Sequence, residues 1–66
     1  MKPYQSRVVS EKKELDEKIA KLWTFIFEDD KIFSNLPEDE RLRLARQFRH
    51  MSDYARVLEE RIAAFI

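Results

Sequence analysis

An all-α fold, an antiparallel two-helix hairpin of coiled-coil character, follows from three features of this 66-residue chain. The chain contains no glycine, which removes the commonest parts of tight β-hairpins, phosphate-cradling loops and flexible linkers. Its two prolines, Pro3 and Pro37, each open a long run of helix formers. Proline is favoured in the first helical turn, where its missing N–H has no partner to lose. Apolar residues then recur at steps of four and three along both runs, the stripe by which a helix buries one face. A chain of this length makes a single domain, residues 1–66.

The first helix is expected over about residues 3–28. Val8, Leu15, Ile19, Leu22 and Ile26 form its stripe, with Lys12 on the step between Val8 and Leu15. A turn over 29–36 follows, where Ile32, Phe33 and Leu36 are expected to fold back onto the helix ends. The second helix is expected over about residues 37–65. Leu44, Phe48, Met51, Ala55, Leu58, Ile62 and Phe65 alternate four and three throughout, as a coiled-coil seam does. Glu38, Asp39 and Glu40 stand in its first turn, where carboxylates complement the helix dipole. So short a connection makes the two helices antiparallel neighbours.

One seam does not use all the grease. In "LWTFIF", residues 22–27, the apolar side chains surround the helix. Trp23 and Phe25 point roughly 160° apart at about 100° per residue, so one neighbour cannot cover both. Tyr54 and Val57 add to the surplus on the second helix. Wet aromatics on this scale exceed what monomers carry, and the expected form is a symmetric homo-oligomer.

Composition narrows function mainly by exclusion. Thirteen basic and thirteen acidic residues give a net charge of zero, which disfavours duplex nucleic acid, whose binders draw most of their affinity from phosphate contacts. No cysteine is present for a disulfide or a thiolate metal site. No apolar run is long enough to cross a membrane and no leader pattern opens the chain, so a cytoplasmic protein without membrane contact is expected. His50 is the single histidine, and Ser6, Ser10, Ser34 and Ser52 have no base arranged beside them. No catalytic residue, no metal ligand and no cofactor is expected. Glu28, Asp29 and Asp30 are consecutive and lack the spacing of a calcium loop. Glu14 with Lys18 and Glu17 with Lys21 have the favoured i,i+4 orientation for helix ion pairs.

Two basic features remain. Arg41, Arg43, Arg46, Arg49 and His50 are uninterrupted by an acid, and arginine forks suit phosphate and carboxylate. They could pair with acids of the first helix or with Asp53, or bind single-stranded nucleic acid. In the opening stretch Tyr4, Arg7 and Lys18 flank the seam and Lys12 lies within it. A seam lysine snorkels and fixes register. Alternatively, copies of these residues converge on one bound anion, with Tyr4 stacking on a base.

The pattern Tyr4-Gln5, Arg7-Val8-Val9, Glu11-Lys12, Glu14-Leu15-Asp16, Lys18-Ile19, then Phe33, Leu36-Pro37, Met51, Tyr54, Leu58 and Arg61-Ile62 resembles a group of small phage and prophage helical proteins of unassigned function. A more distant likeness is to the helical-hairpin sponges with which phages sequester cyclic oligonucleotide signals of host immunity (the anti-CBASS type). Those carry a tyrosine near the start of the first long helix and a lysine about four turns on, as Tyr4 and Lys18 stand here. The asparagine before that lysine has no counterpart in this chain. The resemblance implies a non-enzymatic counter-defence protein that binds cyclic di- or trinucleotides at subunit interfaces, with Tyr4, Arg7, Lys18 and Arg46 as ligand contacts, Arg46 reaching phosphate. The other reading is a small protein-interaction module, an inhibitor or assembly adaptor, that docks on a host or virion protein through Trp23, Phe25 and Phe27.

Overall fold

A computed structural model describes residues 1–28 and 30–65, and of Asp30 the backbone alone. Two long helices, α1 (Pro3–Phe27) and α3 (Glu38–Ala63), lie side by side with a short helix α2 (Asp30–Ser34) between them in the chain. They run antiparallel. Tyr4 meets Phe65 at one end, Lys12 reaches Glu59 in the middle, and Phe27 meets Phe48 at the other end. The result is a rod of 47 × 16 × 14 Å.

Local chemistry sets the ends. Pro3 opens α1, and the Lys2 backbone N–H ahead of it donates to Gln5 Oε1 at 2.9 Å. That bond is why Gln5 can be buried at 8% exposure, since a buried amide without a partner would destabilise. Glu38, Asp39 and Glu40 open α3 behind Pro37, placing negative charge at the positive end of the helix dipole. No described residue takes a positive φ, so neither long helix ends on a left-handed cap, in keeping with a chain that lacks glycine.

The connection, expected as an ordered turn, contains a short helix. Five residues wind into α2, which closes with Asn35 N–H donating to Ile32 O at 3.2 Å and Leu36 N–H to Phe33 O at 3.1 Å. Its service is to Phe25. Phe33 packs edge-to-face on that ring, centroids 6.1 Å apart, and both are half-buried. Ile32 stays exposed instead of folding back. The helices are also slightly shorter than expected: α1 stops at Phe27, and α3 begins after Pro37 and stops at Ala63.

The core is thin. Val8, Leu15 and Leu58 are buried together, with Ile19, Met51, Ala55, Ile62 and Phe65 half-buried around them. Leu58 is the most enclosed, at 1% exposure; full burial of such a side chain contributes about 1.5–3 kcal/mol. Ile26 is buried near the turn, while Trp23, Phe27, Tyr4, Tyr54 and Val57 remain exposed.

Candidate ligand-binding face

An antiparallel pair of helices has a seam and two lateral flanks. On α1 the residue just ahead of each outer seam position recurs every seven: Tyr4, Glu11, Lys18, Phe25. On α3 the same positions are Gln47, Tyr54 and Arg61. Antiparallel packing sets these two series side by side, which makes them one flank. The opposite flank carries Val9, Asp16 and Trp23 of α1 beside Ser52 and Glu59 of α3. Grooves there are lined by Val9, Lys12, Asp16 and Ala20, and by Asp16, Ser52, Arg56 and Glu59.

The first flank holds three of the four sequence-derived contacts. Tyr4 is 47% exposed and its ring stands edge-on to Phe65, centroids 6.0 Å apart at 81°. That contact fixes the phenol at the open end of the hairpin. Arg7 follows one turn later and Lys18 lies farther along, both exposed and without an ion pair among the described residues. Tyr4 and Lys18 are separated by ~21 Å at about 1.5 Å per residue. A small ligand cannot touch both within one chain.

Arg46 is elsewhere. It lies midway between the seam residues Leu44 and Phe48, about 200° from each, so it points away from the seam. It is also near the turn, at the far end of the rod from the Tyr4–Phe65 contact. Two residues not singled out as contacts, Tyr54 and Arg61, are both exposed and share the flank of Tyr4 and Lys18. The signal was the seven-residue spacing on α3, legible once the direction of pairing is fixed.

The charges sort by flank. Lys12 donates to Asp16 Oδ2 at 2.6 Å and approaches Glu59 Oε2 at 3.6 Å. The hydrogen bond it donates to Asp16, reinforced by both carboxylates, holds the Lys12 amine above its ordinary range. Lys12 therefore acts as a cross-helix tie. Arg43 is taken by Asp39 at 3.4 Å and Glu40 at 2.8 Å, and Arg56 by Asp53. The expected pairs Glu14–Lys18 and Glu17–Lys21 do not close among the described residues. The basic run on α3 is broken up as well. Arg43 is paired, Arg41 is half-buried with Nε shielded from solvent, and Arg46 and Arg49 remain exposed.

Nothing in the described residues gathers three groups able to hold a metal ion; Asp29 and the side chain of Asp30 lie outside them. No helix is long and apolar enough to cross a membrane among the described residues. A family model described as Sequestin matches residues 2–64. The chain belongs to the Sequestin family. That description, an act of sequestration, agrees with the resemblance drawn from its residues. No curated protein and no solved structure matches the chain significantly. Membership covers both long helices and the connection between them, so the flank built by α1 and α3 falls wholly within the family's span.

Proposed function

We propose that the chain is a non-enzymatic phage counter-defence protein that sequesters cyclic oligonucleotide immune signals at subunit interfaces. Membership of the Sequestin family supports a protein that holds a small molecule. The observation that carries the reading further is the first flank: an exposed Tyr4 with Arg7 and Lys18 beyond it, their charges unclaimed among the described residues. Tyrosine offers a stacking face for a base and the cations offer phosphate partners. Because Tyr4 and Lys18 lie ~21 Å apart along one helix, a cyclic di- or trinucleotide gathers them from different copies. Arg46 would contact phosphate only on a chain whose outer face meets that site. Calorimetry with purified protein and cyclic di- and trinucleotides tests the reading. It predicts saturable heat that Tyr4→Ala diminishes; no heat from any of them at millimolar ligand ends it.

One observation favours a second reading, a protein-docking module. Trp23 and Phe27 are 44% and 58% exposed with ring centroids 5.5 Å apart. Phe25 drops out of that surface, since Phe33 packs against it. In this reading Trp23→Ser abolishes capture of a host or virion protein while Tyr4→Ala leaves it unchanged. The reverse pattern returns the assignment to the nucleotide.

A further inference from the structure

We propose that Tyr54 and Arg61 of α3 complete two nucleotide half-sites on the first flank, each built across the two helices of one chain. Tyr4 with Arg7 and Arg61 makes one toward the open end, and Tyr54 with Lys18 makes the other near the middle. The inference rests on the nucleotide reading above and assigns which residues of that flank take base and phosphate.

Register is the first argument. Tyr4 meets Phe65, so Arg61, four residues before Phe65, comes level with residue 8. Counted from Lys12 opposite Glu59, it comes level with residue 10. Arg7 is then one to three residues away, about 1.5–4.5 Å along the axis. Farther along, the Lys12–Glu59 and Phe27–Phe48 contacts bring Lys18 level with residues 53 to 57, a window that holds Tyr54. Packed helix axes lie about 8–10 Å apart, so side chains at one level of one flank share a single surface.

Availability is the second. Tyr54 is 44% exposed, close to the 47% of Tyr4, and its ring packs on no other aromatic among the described residues. Arg7, Lys18 and Arg61 are exposed and in no ion pair among the described residues. Two carboxylates, Glu11 and Glu14, stand on this flank within one turn of Arg7 and Lys18. Neither closes a pair, since exposed side chains gain little by it. A phosphate bridging Arg7 and Arg61 is a stronger partner, through bidentate, charge-assisted bonds. It also relieves the repulsion between two like charges held side by side.

The arrangement repeats with the helices exchanged. Tyr4 of α1 stands with Arg61 of α3, and Tyr54 of α3 stands with Lys18 of α1. In each, a base stacks on the ring and its phosphate meets the cation, so each half-site takes one nucleotide unit. Tyr4 and Lys18 thus find their complements across the seam and not ~21 Å along one helix.

Calorimetric titration of cyclic di- and trinucleotides into point variants tests this, with helical circular dichroism checking the fold of each. Tyr54→Ala should weaken binding roughly five- to 150-fold, and Tyr54→Phe, which keeps the ring, should bind nearly as the native chain does. Arg61→Glu should weaken binding roughly tenfold or more. The same charge reversal at Arg49, exposed on α3 and turned from this flank, should change little. Native affinity in either Tyr54→Ala or Arg61→Glu, with Tyr4→Ala weakened, would overturn the half-sites and leave the nucleotide reading standing. Equal loss in Arg61→Glu and Arg49→Glu, or in Tyr54→Phe and Tyr54→Ala, would overturn them too. No heat from the native chain at millimolar ligand would end both.

Discussion

The two flanks of this hairpin are built from the same helices and differ in what they leave unsatisfied. The flank of Tyr4 and Lys18 leaves charge: Arg7 and Lys18 have no ion pair among the described residues, and the tyrosines at 4 and 54 are exposed. The flank of Val9 and Trp23 ties Lys12 to Asp16 and Glu59 at its centre and exposes grease, Trp23 and Phe27 above all, although Lys13 and Glu17 beside its groove have no ion pair among the described residues. Unpaired cations beside aromatics suit an anionic ring system, while bare aromatics suit another protein surface. A rod with two such flanks can serve both purposes at once. On the readings proposed above, one flank would hold a ligand between copies while the other would offer a protein-docking surface.

Both flanks depend on the seam, so the largest expected effect comes from breaking it. Leu58→Ala removes the most enclosed side chain and should cost about 2–5 kcal/mol, read by chemical denaturation. A hairpin with so small a core should then lose its ligand and its mass together, and retention of either would show that the flanks do not rest on the seam. Next in size are changes confined to the first flank. Tyr4→Ala should weaken nucleotide binding by roughly five- to 150-fold, since stacking contributes ~1–3 kcal/mol per base, with mass unaffected. Ionic strength offers a milder separation. Raising salt should weaken nucleotide binding and leave docking through Trp23 nearly constant, because screening acts on exposed charge and not on apolar burial; equal loss of both would dissolve the distinction between the flanks.

The smallest effect concerns Lys12. Its amine is raised above 10.5 by the hydrogen bond to Asp16 and by the neighbouring carboxylates, so the charged form is favoured by folding. The stabilisation it contributes is complete below the ordinary lysine range and disappears as pH rises through the raised value. Lys12→Met should therefore narrow the loss of thermal stability expected of the native chain as pH rises past the ordinary lysine range. It should do so without changing that pH dependence near neutrality. An identical alkaline profile in the two proteins would remove Lys12 as the cross-helix tie.

Much of this was legible from residues alone, for reasons that particular residues make plain. The steps from Leu44 to Phe65 specify the seam because helical period and burial coincide there. Trp23 and Phe25 signalled more apolar surface than one seam can cover. α2 was not legible as a helix, since "DKIFS" is too short to show a period. Hence the covering of Phe25 by Phe33 could not be separated from the exposure of Trp23. Glu14–Lys18 satisfied the spacing rule yet did not close, because exposed pairs gain little over solvated side chains. Tyr54 and Arg61 joined the candidate site only once the direction and register of α3 were known, since spacing along one helix does not say what lies across from it.

The division between the flanks is tested most directly by calorimetric titration of cyclic di- and trinucleotides into the native chain and its Lys18→Glu variant. The account predicts saturable heat for the native protein with at least one of these ligands, and its loss in Lys18→Glu while light scattering shows the native mass. Equal heat from both proteins, or none from the native chain at millimolar ligand, would contradict it.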